Sequence, residues 1–268
     1  MFKYAFMSSS APEWSLDELI EQAGQYGYAG IEPRIEWGHA HGIEPDIDAD
    51  ARAAVKRKFA DSPIELCCIA TGCRYSDPAD RQEHIDHTHR CIDLAGDTAS
   101  PRLRVFGGNL GEGIGREQAI AQVADALEQV ADHARERGVT ICLETHDAWC
   151  EPDHVAAVLR KVDHPNVAVN WDVMHTLRVG GQGPAEAYRT LGQWVAHTHI
   201  HDATWDEQGR FTQMPMGEGW VEHKPVLEVL RDGGYDGYLS GEWIKWQPPD
   251  EHLPREIERL REIEATLS

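Results

Sequence analysis

The chain has 268 residues and carries 46 acidic against 25 basic residues, a formal net charge of −21. A surface of this sign repels polyanions, so we expect no nucleic-acid partner. No apolar run approaches the roughly 18 residues that cross a bilayer, and residues 1–7 are too short and too weakly charged for a signal peptide. Six cysteines without a CxxC pair indicate free thiols. These features predict a cytoplasmic protein without a membrane partner.

Short β-prone segments alternate with helical patterns along the whole chain. We predict strands at residues 2–7, 28–35, 64–70, 102–106, 139–144, 167–172, 195–201 and 237–242. No Gly-, Ser- or Pro-rich linker interrupts the alternation, so residues 1–268 are predicted to form one domain of βα units. Periodicity leaves a closed barrel and an open, doubly wound sheet as alternatives. The lack of a GxGxxG or P-loop motif after the first strand disfavours the nucleotide-binding open sheet.

Two helices have clear signals at their ends. Ser15 and Glu18 have the spacing of a capping box, and Gly27 is a plausible stop for the helix that follows. Residues 116–137 place apolar side chains along one stripe and are followed by Gly138. Both segments are typical of helices that pack around the outside of a barrel.

Polar side chains share one face at the ends of the last four predicted strands, because alternate residues of a strand point to the same side. On the fifth strand this face carries Glu144 and His146. The next three strands repeat the arrangement, with Asn170 beside Asp172, His197 beside His199 and His201, and Ser240 beside Glu242. Active sites of (β/α)8 barrels lie at the carboxyl ends of the strands. The pattern therefore favours an α/β fold with a single (β/α)8 TIM barrel.

Four of these side chains are the predicted metal ligands: Glu144, Asp172, His199 and Glu242. Three carboxylates and one imidazole suit one divalent ion, with Mn²⁺ as the first expectation and Mg²⁺, Co²⁺ or Zn²⁺ as alternatives. Such an ion stabilises the charge of an enediolate. Taken alone, Glu144 and Glu242 are more typical of solvated or helix-capping carboxylates, and Asp172 is equally typical of a turn; the coincidence at four strand ends favours the metal site. We expect His197 to be a hydrogen-bonded core histidine.

Several motifs follow one another along the chain: Leu143-Glu-Thr-His-Asp147, Asn170-Trp-Asp-Val-Met-His175, His197-Thr-His-Ile-His-Asp202 and Gly234-Tyr-Asp-Gly-Tyr-Leu-Ser-Gly-Glu242. In this order they resemble the sugar phosphate isomerase/epimerase superfamily, whose fold is the xylose isomerase-like barrel. The resemblance implies the same four metal ligands. It also implies that His175 binds or polarises a substrate oxygen, and that Glu144 and Glu242 exchange a proton with carbon from opposite faces of the sugar.

The chain departs from the ketohexose 3-epimerases of that superfamily at two positions. Trp205 stands where those enzymes place an arginine, and Cys150 where they place a glutamate; Arg210 and Glu151 are nearby replacements. The predicted substrate contacts are His146, His175, Glu32, Arg34, Trp205 and Arg210. Glu32 and Arg34 share a face of the second strand, where they either bind substrate or pair with each other. No basic or glycine-rich phosphate cradle is evident in the sequence.

We therefore predict a divalent-metal-dependent isomerase or epimerase that acts on a small ketose, aldose or related polyol; a homo-oligomeric state stays open. The alternative is a lyase or dehydratase of a keto-sugar or keto-inositol, similar to inosose dehydratases, because proton abstraction beside a carbonyl can end in β-elimination. A DNA-cleaving, multi-zinc enzyme like endonuclease IV is disfavoured by the charge and by the lack of Asp-x-His in residues 211–220. A non-catalytic polyol-binding protein would bind metal without exchanging substrate protons.

Overall fold

In the computed structural model, which describes residues 1–267, strands and helices alternate along the chain. The strands are β1 Lys3–Met7, β2 Gly30–Glu32, β3 Glu65–Leu66, β4 Ile69–Ala70, β5 Arg102–Phe106, β6 Thr140–Glu144, β7 Val167–Asp172, β8 Val195–Ile200, β9 Asp202–Trp205, β10 Phe211–Met214 and β11 Tyr238–Gly241. The helices are α1 Leu16–Tyr26, α2 Ala49–Ala60, α3 Arg81–Thr98, α4 Arg116–Arg137, α5 Pro152–Val162, α6 Val173–Arg178, α7 Pro184–Leu191, α8 His223–Asp232 and α9 Pro249–Ala265.

The parallel strands form a closed cylinder. Their order is β3-β2-β1-β11-β8-β7-β6-β5-β4, and its two ends, β3 and β4, are halves of one segment interrupted at Cys67 and Cys68. Since β3 pairs with β2 and β4 pairs with β5, this segment joins the two sides of the sheet. The predicted TIM-barrel fold, with eight strand segments, is confirmed.

Three local features differ from the predicted strands. The second strand is only three residues long, because the next residue, Pro33, has no amide hydrogen to donate to a neighbouring strand. The third strand is divided, as described above. The segment after β8 folds back as an antiparallel hairpin of β9 and β10, in which Trp205 pairs with Phe211; the sequence did not predict it.

The two helices with clear end signals form as predicted. At the start of α1, the Ser15 side chain accepts from the Glu18 amide while the Glu18 carboxylate accepts from the Ser15 amide. Gly27 then adopts a φ of 85°, the left-handed conformation that suits glycine, and ends the helix. The buried stripe of α4 packs into the apolar core around the barrel, and Gly138 ends it with a φ of 70°.

The apolar core encloses the barrel. All six cysteines are buried as free thiols, which agrees with the sequence interpretation. Within residues 1–267, no helix combines the length and the apolar character that crossing a bilayer requires.

Candidate metal centre

Four predicted ligands converge at the carboxyl end of the barrel. Glu144 ends β6, Asp172 ends β7, His199 lies in β8, and Glu242 directly follows β11. The strand register brings them together, since Asp172 is paired with His199 and the latter with Ser240. One ligand atom from each of the four lies within 4.8 Å of the others. All four side chains are buried, and the most exposed, Glu242, is at 8%.

The chemistry of this group fits a divalent cation. His199 Nδ1 lies 3.0 Å from Glu144 Oε1 and 3.4 Å from Glu242 Oε2. Among the described residues, Glu144 Oε2 has no aligned hydrogen-bond donor, although Arg104 Nε is 3.1 Å away. Buried carboxylates held side by side cost free energy unless a positive charge compensates them. Three carboxylates and one imidazole can therefore hold a hard or borderline metal ion here.

Glu32 orients the histidine of this group. Its carboxylate lies 2.8 Å from His197 Nε2, 3.1 Å from His199 Nε2 and 2.7 Å from Ser240 Oγ. Burial raises the pKa of Glu32, but the two imidazoles outweigh it and hold that pKa well below its usual value. An ionised Glu32 accepts a hydrogen bond from the protonated Nε2 of His199, which leaves Nδ1 as the ligand atom. The prediction that His197 is a buried, hydrogen-bonded histidine is confirmed.

Three further imidazoles line the wall around Asp172. Asp172 caps α6 by accepting from the His175 amide at 2.9 Å, and its Oδ2 lies 3.0 Å from His201 Nε2 and 4.0 Å from His175 Nε2. Burial raises the pKa of Asp172, yet His175 and His201 hold it well below its usual value. The His175 ring packs edge-on against His146, with centroids 4.6 Å apart. His146 and His175, both predicted substrate contacts, are thus neighbours.

A cavity of about 660 Å³ opens beside the centre. Its lining includes three arginines, one histidine and four carboxylates: Arg34, Arg74, Arg104, His146, Asp77, Asp80, Asp147 and Glu242. Arg34 and Arg104 both donate to the Thr71 carbonyl, the latter at 2.8 Å. Burial, and then the charge of Arg104, lower the pKa of Arg34 to about 9. The cavity lining therefore combines acidic and basic side chains.

Arg34 is a residue predicted from the sequence, whereas Arg74 and Arg104 are not. A signal for Arg104 existed, because it alternates with Leu103 and Val105 in β5 and so points to the opposite face, into the barrel. Arg74 lies in a loop, where no repeating pattern shows which way a side chain points. The three arginines come from separate segments, which is why the sequence shows no basic cluster.

Of the six predicted substrate contacts, Arg34 and His146 line this cavity, and Glu32, His175, Trp205 and Arg210 do not. Trp205, in the β9–β10 hairpin, packs against the rings of Phe211 and Trp220 with centroids 5.8 and 6.0 Å apart. The Arg210 side chain is 79% exposed and pairs with Asp206. Glu32 lies behind His199 and is fully buried, bound to the two histidines and Ser240.

The family follows from a comparison with known proteins. The model of the xylose isomerase-like TIM barrel family matches residues 20–263. The chain belongs to this family. The resemblance read from the ordered motifs is thereby confirmed.

Individual relatives are distant but cover most of the chain. A 3-dehydroshikimate dehydratase of Bacillus anthracis is 23% identical over 86% of each chain. The L-ribulose-5-phosphate 3-epimerase UlaE of Salmonella typhi is 21% identical over 84% of this chain and 81% of its own. A crystal structure of the IOLI protein with a zinc atom has a TM-score of 0.81 at 17% identity, covering 98% of this chain and 97% of that one. The relatives thus include a dehydratase and an epimerase.

Proposed function

We propose that this chain is a divalent-metal-dependent enzyme that removes a proton from the carbon next to a carbonyl group in a small hydroxylated substrate. Returning that proton to carbon makes it an isomerase or epimerase of a ketose, aldose or related polyol. The observation that carries the proposal is the convergence of Glu144, Asp172, His199 and Glu242 within 4.8 Å, beside a cavity of about 660 Å³.

The carboxylates of Glu144, Asp172 and Glu242 and the Nδ1 atom of His199 would hold the ion. When bound, it supplies positive charge that polarises a substrate carbonyl and lowers the cost of charge developing on oxygen. Mn²⁺ remains the first expectation for this oxygen-rich set, with Mg²⁺, Co²⁺ and Zn²⁺ as alternatives. Glu32 fixes the His199 ring, so that Nδ1 faces the carboxylates.

Proton transfer is assigned first to Glu242, which lines the cavity. His146 lines the same cavity and is placed to bind a substrate oxygen, and His175 packs against it. Glu144 is fully buried, with His199 at one oxygen and Arg104 near the other. Since metal ligation lowers the basicity of a carboxylate, the transfer would depend on the position of Glu242 more than on a raised pKa.

The arginines of the cavity favour a substrate that carries an anionic group. Arg74 pairs with Asp80 and Arg104 lies beside Glu144, whereas within residues 1–267 Arg34 Nε has no hydrogen-bond partner. A guanidinium presents a planar set of donors that matches a carboxylate or a phosphate. Arg34 is therefore the arginine best placed to bind such a group. We therefore propose a hydroxylated carbonyl compound that bears a carboxylate or a phosphate.

A dehydratase is the second candidate, and the burial of Glu144 favours it. Epimerisation through two glutamates needs both to reach the substrate, whereas elimination of water needs one base and a group that protonates the departing hydroxyl. Glu242 and His146 line the cavity and can supply this pair. The Bacillus anthracis relative, which is a 3-dehydroshikimate dehydratase, matches most of both chains.

Proton NMR in D₂O tests the proposal with protein loaded with Mn²⁺. The panel contains a ketohexose, a ketopentose phosphate, an inosose and 3-dehydroshikimate. Deuterium incorporation beside the carbonyl with an unchanged hydroxyl count supports the isomerase or epimerase, and an unsaturated product supports the dehydratase. Metal binding without exchange or product on any of the four compounds would contradict the proposal and favour a non-catalytic polyol-binding protein.

A further inference from the structure

A second group of metal-ligating side chains lies outside the barrel, between α3 and the segment of residues 71–80 that follows β4. His87 and Cys91 lie one turn apart on α3, and Cys73 faces them from that segment. One ligand atom from each of the three lies within 4.8 Å of the others. His87 Nε2 is 3.4 Å from Cys91 Sγ. The two cysteines are fully buried, and the His87 side chain is 14% exposed.

A carboxylate from a third segment lies beside this group. Glu36 follows β2, and its Oε1 lies 2.7 Å from His87 Nε2. Its backbone has a φ of 67°, in the left-handed region that residues other than glycine seldom adopt. Such strain persists only where the surrounding structure holds it, and it is concentrated at functional positions. Because the Glu36 side chain is 38% exposed, an ion from solvent can reach the group beside it.

Cysteine binds metals in its thiolate form. Each of the two buried sulfurs would therefore lose its proton when an ion binds.

We propose that Cys73, His87 and Cys91 form a site for zinc that is separate from the barrel centre, with the fourth position left to water. Two thiolates and one imidazole are a ligand set that zinc takes, and a water molecule completes the tetrahedron. Bond lengths of about 2.3 Å to sulfur and about 2.0 Å to nitrogen place the two atoms about 3.5 Å apart in a tetrahedron. The observed separation of 3.4 Å between Cys91 Sγ and His87 Nε2 is already close to that value.

One neighbour must move when the ion binds. Arg90 Nη2 lies 2.8 Å from His87 Nδ1 and donates to it, so the ring proton is on Nε2, facing Glu36. When Nε2 binds the ion, the ring proton moves to Nδ1, and Nδ1 can then no longer accept the hydrogen bond from Arg90. Arg90 is exposed and can rotate away. Replacing it with alanine is therefore expected to strengthen zinc binding.

The site connects α3 to the wall of the cavity. Gly72, Arg74, Asp77 and Asp80, all within residues 71–80, line the cavity beside the barrel centre. An ion held by Cys73 ties this wall to the helix, whatever reaction the barrel performs.

Cobalt binding tests the site, because a thiolate bound to Co²⁺ produces a charge-transfer band that oxygen and nitrogen ligands do not. Chelator-treated, fully reduced protein with six titratable thiols is titrated with Co²⁺ and then with Zn²⁺. We expect the charge-transfer band and the intense visible bands of tetrahedral cobalt, both bleached by zinc. Cys73→Ser and Cys91→Ser should abolish the charge-transfer band, and His87→Gln should weaken cobalt binding about tenfold or more.

Two variants separate this site from the barrel. Cys68→Ser removes a buried cysteine that lies near Glu32 and His197, and Asp172→Asn removes a barrel ligand; both should retain the band. Absence of the band in reduced wild-type protein, its persistence in Cys91→Ser, or its loss in either control would overturn the proposal. If circular dichroism shows that the serine variants do not fold, an unchanged cobalt affinity in His87→Gln overturns it.

Discussion

The two halves of the barrel mouth differ in charge. The half formed by β6, β7, β8 and β11, here called the acidic half, supplies three carboxylates and a row of histidines. The half formed by β2 to β5 with their loops, here called the basic half, supplies Arg34, Arg74 and Arg104 together with Asp77 and Asp80. The contrast suggests that the acidic half holds a cation and that the arginines of the basic half hold the anionic end of the substrate.

The two halves meet at Arg104 and Glu144, whose Nε and Oε2 atoms lie 3.1 Å apart with both side chains buried. Because Arg104 lies beside Glu144, we expect it to restrict the rotation of the Glu144 carboxylate towards a substrate. A substrate that spans the cavity would have its reactive carbon near Glu242 and its charge near the arginines. The variants below separate the two roles.

The largest effect is expected from the acidic half. Glu242→Gln removes a metal ligand and the proposed base at once, so turnover should fall by about 10²- to 10⁴-fold. Initial rates at saturating Mn²⁺ and calorimetric titration of the metal measure the two losses separately. Glu186→Gln, which changes an exposed carboxylate on α7, is the matched control and should keep full activity. Full activity in Glu242→Gln would remove the proton-transfer assignment.

A smaller effect is expected from Glu32, which orients His199, one of the metal ligands of the acidic half. Glu32→Gln weakens the hydrogen bond that fixes the imidazole, so the affinity for Mn²⁺ should fall by about 10- to 100-fold. At saturating Mn²⁺ the KM for substrate should stay unchanged. A raised KM under those conditions would instead support the sequence prediction that Glu32 binds substrate directly.

A still smaller effect is expected from the basic half. Arg34→Gln removes a charged donor from the cavity, which costs about 1.5 kcal/mol of binding, or about tenfold in KM for an anionic substrate. Mn²⁺ affinity should not change, and the KM for a neutral analogue should not rise. Arg189→Gln, at an exposed position on α7, is the control. Equal losses for anionic and neutral substrates would remove the division between the two halves.

The acidic half could be predicted from the sequence because the alternation of residues along a strand shows which face each side chain points to. In β6, Leu143 and Glu144 are neighbours and therefore point to opposite faces, so the apolar Leu143 indicates the direction of Glu144. The same argument applied to β5 would have found Arg104. The strand register then brings these positions together without further information.

The zinc group and the divided third strand were not predictable in this way. Cys73 lies in a loop, and a loop has no repeating pattern from which the direction of a side chain could be predicted. Its distance from Cys91 depends on how α3 packs against the barrel. Pro33 could have signalled the short second strand, because proline cannot donate to a ladder. The β9–β10 hairpin lies in a loop of the barrel mouth, a place where length and conformation vary independently of the strands.

The smallest effect is expected outside both halves. The sequence predicted Arg210 as a substrate contact, as a replacement for the arginine that stands at the position of Trp205 in ketohexose 3-epimerases. In the structure its side chain is 79% exposed and pairs with Asp206 within the hairpin. Exposed ion pairs contribute little, at most about 1 kcal/mol. Arg210→Gln should therefore leave kcat and KM within about twofold of wild type. A tenfold rise in KM would show that the hairpin folds over the cavity when substrate binds, and would extend the basic half to β9 and β10.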